Sequence, residues 1–268
     1  MVKKQDYADI VSKDSPKGHE ITIACRSWMR ADVVSTHKYI PDTKYVVASS
    51  QADEYRQNGL NVWECPDSAQ GNICRVSNWI MDNCKTRWLI IIDDDLINFG
   101  RYNGNKHKKI KSEDVMDLLF MCFMMAEDAD VKLWGMNCID DKGAYREYTP
   151  LSFNNYIGGP FQAFIDMDLR YDEKLNLKED YDMTLQVMNK YRRALRFNFL
   201  NYNFKQHVNI GGCASYRTVE REKQQYDLLF KKWGPKIVKK DCGNSRTHRK
   251  KEQGYDINPI IKVPIKGV

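Results

Sequence analysis

The sequence predicts an α/β fold, a single domain with one mixed, mostly parallel central sheet flanked by helices. Three observations predict it. Strand and helix signals alternate through the first half of the chain. The apolar run from Trp88 to Ile92 is the kind of strand that parallel sheets bury on both faces. The linkers are too short to separate independent domains within 268 residues.

The elements follow in order. His19 to Cys25 reads as a first strand, Lys44 to Ala48 as a second and Leu60 to Glu64 as a short third. Ser50 to Asn58 is helical and stops at Gly59, a fitting C-cap. Between Gly71 and Cys84, the residues Ile73, Val76, Ile80 and Cys84 recur at helical spacing, and Trp88 to Ile92 makes the central strand. Arg101 to Lys111 reads as a loop, after which Ser112 caps a helix from Glu113 to Asp128. Val131 to Met136 is a strand. Tyr156 to Ile165 passes from a turn at Gly158-Gly159-Pro160 into another. A helix opens at Leu177 to Asp182 and runs to about Arg193. Arg196 to Leu200 is a strand, Thr218 to Trp233 a helix, and the chain beyond Gly234 reads as irregular. The expected division is one domain over residues 1–233 and a basic tail over 234–268 that packs on or covers the site.

Composition narrows the class. The eight cysteines show neither Cys-x-x-Cys pairs nor a zinc-like spacing, so reduced thiols and a cytoplasmic location are expected. Cys25, Cys65, Cys74, Cys84, Cys122 and Cys138 fall in predicted core elements. The start of the chain lacks the apolar stretch of a secretory signal. The longest apolar helical run, Val115 to Ala126, is too short to span a bilayer and contains Asp117, so no membrane partner is expected. Nothing in the sequence indicates an oligomeric state. Charge is uneven: Lys231 to Val268 carries eleven Lys and Arg against three acids, within a chain whose net charge is +6. A second basic run holds Arg101, Lys106, Lys108, Lys109 and Lys111. Such runs suit a solvated face as well as a polyanion such as nucleic acid.

The apolar strand ends in Asp93-Asp94-Asp95. Ligands of open α/β sheets bind beyond the carboxyl ends of the strands. Carboxylates gathered there repel one another unless a cation joins them. A hard ion, Mg²⁺ or Mn²⁺, takes oxygen ligands and bridges carboxylates to a diphosphate. An acidic surface loop is the alternative, and the buried strand in front argues for the metal. A second cluster, Glu179-Asp180-x-Asp182, stands at a helix start, where the macrodipole stabilises acids. It suits a structural cap or a general base toward a hydroxyl.

These two clusters, in this order, resemble the metal-dependent glycosyltransferases of the GT-A (Rossmann-like) fold. The resemblance implies that Asp93 and Asp95 hold the metal and that Asp93 and Asp94 face the donor nucleotide sugar, UDP-glucose above all. It implies that Arg26 and Ser27, after the first strand, and Arg75 and Asn78, on the helix from Gly71, bind the nucleotide. Asp180, with Glu179 beside it, becomes the base on the acceptor side, with inversion at the sugar carbon. His207 becomes a third metal ligand, with His248 as its rival. Trp28 and Tyr39 suit stacking on uracil or a place in the core.

The combination of Asp93-Asp94-Asp95, Gly158-Gly159-Pro160, Lys178-Glu179-Asp180-Tyr181-Asp182 and Gln206-His207 with Gly211-Gly212 is similar to the TET-associated and base J-type DNA glycosyltransferases, which include phage enzymes. That resemblance implies an acceptor in DNA, the hydroxymethyl group of a 5-hydroxymethylpyrimidine, either 5-hydroxymethylcytosine or 5-hydroxymethyluracil. Gly158 and Gly159 would then approach the acceptor, and Arg101, Lys106, Lys108 and Lys109 would meet phosphates. Two other readings stay open: a small-molecule, polysaccharide or protein acceptor, and a non-catalytic DNA-binding protein with a degenerate transferase fold.

Overall fold

The computed structural model describes residues 20–104, 106–141, 143, 145–205, 217–240 and 258–263. Strands β1 (Ile21–Arg26), β2 (Lys44–Ala48), β3 (Val62–Cys65) and β4 (Trp88–Asp93) come from the first third of the chain. Strands β5 (Leu96–Asn103), β6 (Lys106–Lys109), β7 (Leu133–Asn137), β8 (Leu151–Ser152), β9 (Phe161–Ile165) and β10 (Leu195–Phe204) complete one sheet. Its order is β3-β2-β1-β4-β9-β7-β10-β5-β6, with β8 added on β10. The pairings make β1, β2, β3, β4, β6, β7 and β10 run one way and β5, β8 and β9 the other. The sheet is mixed and mostly parallel, as expected.

Both faces are covered. On one, Ile23, Cys25, Ile90 and Ile92 pack with Val115, Leu119 and Phe123 of helix α3 (Val115–Asp128), and Tyr55 of helix α1 (Ala52–Gln57) joins them. On the other, Ala24, Leu89 and Ile91 pack with Val76 and Ile80 of α2 (Ile73–Asn83) and with Met183 and Val187 of α4 (Glu179–Tyr191). Alternate residues of each strand therefore serve opposite cores, which is why β1 and β4 read as continuous apolar runs. Helix α5 (Val219–Trp233) packs against α4 through Leu185, Tyr226 and Leu229. Cys25, Cys65, Cys74 and Cys122 are buried and Cys84 and Cys138 half-buried, and all six are free thiols.

Three expectations change. The segment from Arg101 to Lys111 is the β5–β6 hairpin, with Arg101 opposite Lys108 and Asn103 opposite Lys106. Lysine-rich β6 is a strand because β5 supplies its partner, and its charges suit an edge. Ser112 opens a 3-10 turn, and α3 begins at Val115 without a side-chain cap bond. Beyond Gly234 the chain forms a short antiparallel pair, β11 (Val238–Lys240) with β12 (Pro259–Ile261), where irregular chain was expected. At the start of α5 the Thr218 side chain is the N-cap and accepts from the Arg221 N–H. No helix among the described residues is long and apolar enough to cross a membrane.

Candidate active site

The strand order 3-2-1-4 places successive connections on opposite sides of β1, so the chain reverses direction of progress between β1 and β4. A crevice opens at the carboxyl ends of strands where such a reversal occurs. The parallel register sets Arg26 opposite Asp93, and a cleft of about 530 Å³ lies there, lined by Arg26, Ser27, Asp93, Asp94, Asp95, Glu179 and Asp180. Asp93–Asp95 and the first two acids of the second cluster therefore share one cavity.

The backbone of the acidic turn is fixed from two sides. Ser35 N–H donates to the Asp94 carbonyl at 2.8 Å, and the Thr36 hydroxyl donates to the Asp93 carbonyl at 2.7 Å. Asp93 N–H donates to the Pro160 carbonyl at 3.0 Å, which ties the turn before β9 to the end of β4.

The three carboxylates differ in surroundings. Asp93 Oδ1 accepts from Arg26 Nη2 at 2.5 Å, while the same guanidinium reaches the Gly159 carbonyl at 2.9 Å and the Ser77 hydroxyl at 3.3 Å. Asp94 is buried and takes the Ser27 hydroxyl at 2.5 Å and Arg30 Nη1 at 3.1 Å. Burial above all raises its carboxyl above the ordinary range. Asp95 has no ion-pair partner among the described residues. Burial, and then the charges of Asp93 and Asp94, push its carboxyl up to about 7.

Across the cleft, the Asp180 carboxylate is held by three donors. Oδ2 accepts from the Tyr156 hydroxyl and from Gly159 N–H at 3.0 Å, and Oδ1 accepts from Tyr181 N–H at 2.8 Å. A carboxylate offers about four acceptor sites, so one remains, on Oδ1. The Tyr156 and Tyr181 rings stack with centroids 4.3 Å apart. Glu179 beside it is buried, and burial followed by the Asp180 charge pushes its carboxyl up to about 8. A Cβ on Gly159 would sit 3.1 Å from Asp180 Oδ2 and 3.3 Å from Glu179 Oε1, so glycine lets the backbone reach the carboxylate.

Other predicted residues lie elsewhere. Arg75 is exposed and bonded to Glu173 at 3.1 Å and to the Ser68 carbonyl at 3.2 Å. Asn78 clamps the Tyr171 backbone, donating to its carbonyl at 3.0 Å and accepting from its N–H at 2.8 Å. Neither lines the cleft; the same helix presents Ile73 and Val76 there, with Asn72 at its cap. The helix borders the cleft, but successive residues turn by roughly 100°, so the face it presents there is that of Ile73 and Val76 and not that of Arg75 and Asn78. Gly158 is packed against Cys138 and the Tyr202 hydroxyl, and Gly159 alone of the two lines the cavity. Trp28 lines the cleft, whereas Tyr39 packs against the core. His207, Gly211, Gly212 and His248 lie outside the described residues.

Sequence reasoning missed several lining residues. Arg30 and Tyr156 act through partners distant in sequence, and no local pattern marks them. Lys178 and Glu222 form a buried ion pair at the cleft wall, with Arg217 Nε 2.9 Å from Glu222 Oε1. Asp182, read as part of the acidic motif, faces away: it is fully buried and bonds Trp233 Nε1 at 2.8 Å, Lys232 Nζ at 2.9 Å and Gln186 Nε2 at 2.7 Å. Asn258, from the tail, also lines the cavity.

No family model matches the chain, and no curated protein matches it. Solved structures do. A mannosyltransferase from Pyrobaculum calidifontis, in complex with GDP-Man and Mn²⁺, matches with a TM-score of 0.52 at 12% identity, over 79% of this chain and 64% of that one. This chain thus spans less than two thirds of the mannosyltransferase's length. The glucosyl-3-phosphoglycerate synthase of Mycobacterium tuberculosis, in complex with Mn²⁺, UDP-glucose and phosphoglyceric acid, gives 0.50 at 10% identity over 83% of each chain. The fold is GT-A. A mycobacterial protein matches with a TM-score of 0.51 at 10% identity, over 89% of this chain and 83% of its own. At these identities the GT-A likeness speaks for architecture, and the chemistry of this chain rests on its own side chains.

Proposed function

We propose that this chain is a metal-dependent hexosyltransferase that moves a sugar, glucose foremost, from a UDP-sugar to the hydroxymethyl group of a 5-hydroxymethylpyrimidine in DNA. The observation that carries the transferase reading is the meeting of Asp93–Asp95 and Glu179–Asp180 in one cleft at the β1–β4 reversal. The two GT-A enzymes named above were solved with nucleotide sugars and Mn²⁺, which supports the same donor chemistry here.

The donor set fits a hard divalent cation. Asp95 and the outer oxygen of Asp93 would supply oxygen ligands, and burial followed by the neighbouring Asp93 and Asp94 charges disfavours the ionised Asp95, which a bound cation would offset. Among the described residues no three His, Cys, Asp or Glu side chains gather as a closed metal site. His207 is proposed as a further ligand of the ion. When bound, the ion supplies charge neutralisation for the departing diphosphate.

Asp180 Oδ1 accepts the proton as the acceptor oxygen bonds to the sugar C1. The attack comes from the face opposite the diphosphate, so the C1–oxygen bond to the diphosphate breaks, its electron pair leaves with UDP and the configuration inverts. Tyr156 and Gly159 hold the carboxylate in place for that transfer.

The DNA acceptor rests on the family resemblance and on the hairpin. Arg101 and Lys108 oppose each other directly, and neither they nor Lys106 and Lys109 have an ion-pair partner among the described residues. Like charges placed opposite each other destabilise a sheet, and a row of phosphates relieves that. The hairpin tip points away from the strand ends that carry the acids, roughly 24 Å along β5, so any phosphates it meets flank the target base at a distance.

The test incubates purified protein and Mn²⁺ with a panel of UDP-sugars and hydroxymethylated duplex, followed by nucleoside mass spectrometry. A glycosylated pyrimidine is the expected product. UDP release with small or protein acceptors but never with DNA would assign the alternative acceptor class.

A further inference from the structure

Five cations line the cleft among the described residues: Arg26, Arg30, Lys178, Lys205 and Arg217. Four of them are already matched by carboxylates. Arg26 pairs with Asp93, Arg30 with Asp94, and Lys178 and Arg217 share Glu222. Lys205 is exposed and has no ion-pair partner among the described residues.

Its position is built. Along the β10–β5 pairing, Asn203 faces Asn98 but Phe204 faces Leu96, so Ile97 is skipped. The extra residue is a bulge, a device that re-aims the chain next to functional sites. Without it Phe204 would face Ile97 and Lys205 would face Leu96. With it, Lys205 N–H donates to the Asp95 carbonyl at 3.1 Å. The residue that carries the unmatched cation is thereby tied, main chain to main chain, to the residue whose carboxylate has no ion-pair partner among the described residues.

From this we infer that Lys205 is the side chain that binds the diphosphate of the donor, and that it neutralises the leaving group together with the metal held at Asp95. The inference rests on the proposed donor chemistry and adds a residue to it. A compact ammonium suits this place, because it meets phosphate oxygens as a point charge without a fixed geometry. As the C1–oxygen bond breaks, the negative charge gathers on the terminal phosphate oxygens, where a fixed cation lowers the barrier most.

The experiment measures binding of UDP, GDP and UMP to the native protein, Lys205→Gln and Lys205→Arg in Mn²⁺ by calorimetry, with thermal melting to verify the fold. Lys205→Gln is expected to weaken UDP at least about tenfold and UMP by about twofold or less, because UMP lacks the terminal phosphate. Lys205→Arg should recover most of the loss. Native protein that binds neither UDP nor GDP would overturn the donor reading and this assignment together. Tight UDP binding by both native protein and Lys205→Gln would overturn the assignment alone, as would equal losses for UDP and UMP.

Discussion

Arg26 and Asp93 end two adjacent parallel strands at the same level, and their side chains meet at 2.5 Å across the floor of the cleft. The contact does more than neutralise one aspartate. By continuing to the Gly159 carbonyl, the guanidinium links the Asp93–Asp95 turn to the turn before β9.

Replacing this link should be costly. Arg26→Met leaves Asp93 unpaired and the Gly159 carbonyl without its donor. Because Asp93 is partly open to water, the expected loss is about 2–3 kcal/mol rather than the full value of a buried pair. Urea unfolding of the variant and of Arg26→Met/Asp93→Asn measures it, and the double variant should recover part of the loss.

Asp95 should set a pH dependence. Its folded carboxyl titrates near 7, above the unfolded value of about 3.9. The folded state therefore holds the proton more tightly. That stabilisation is complete below about pH 4 and is lost as pH rises through about 7. Asp95→Asn is expected to gain on the order of 2 kcal/mol at pH 8 and to lose transfer activity. Mn²⁺ should raise the Tm of the native protein above pH 7, where Asp95 is ionised, and leave that of Asp95→Asn unchanged. A native protein whose Tm ignores Mn²⁺ would remove Asp95 from the metal.

Asp180→Asn keeps the shape of the side chain but cannot accept the proton, so turnover should fall about 10²- to 10⁴-fold with donor affinity retained. Tyr156→Phe removes one of the donors that orient the carboxylate and should cost about tenfold in kcat. Steady-state kinetics with saturating donor separate the two. A larger effect from Glu179→Gln than from Asp180→Asn would move the base by one residue.

Asp182 predicts stability instead of chemistry. Asp182→Ala removes the acceptor of the Trp233 indole N–H and of the Gln186 amide, while Lys232 keeps Asp172 at 2.9 Å, and should cost about 2 kcal/mol. Trp233 fluorescence during denaturation reports it.

The hairpin lysines make an electrostatic prediction. Lys106→Gln, Lys108→Gln and Lys109→Gln together should flatten the salt dependence of DNA binding by about three units at most, with UDP release in the absence of acceptor unchanged. Identical slopes for native and triple variant would return β6 to a solvated edge.

How far these features could be read in advance depended on their range along the chain. β4 declared itself because both of its faces are buried, and α4 because its acids gather at a helix start. The hairpin did not, because Lys106 to Lys109 become a strand through pairing with β5 and lack strand propensity of their own. Arg75 and Asn78 were drawn to the nucleotide by motif, yet the rotation of α2 turns them toward Glu173 and Tyr171. Tyr156, Arg30 and Lys205 were silent. Their roles come from partners 24 residues away for Tyr156 and 64 for Arg30, and from a bulge for Lys205, which no local pattern of apolar spacing records.

The hydrogen bond from Asp93 N–H to the Pro160 carbonyl has an evolutionary meaning. It welds the two halves of the cavity through main chain, and main chain is indifferent to side-chain identity. On the proposed reading, side chains at the rim that do not hold Asp180, such as Arg217, could change toward a different recipient of the sugar while the floor of the cleft keeps its geometry. A lineage that shared this weld would then diversify by changing what it decorates and keep what it decorates with.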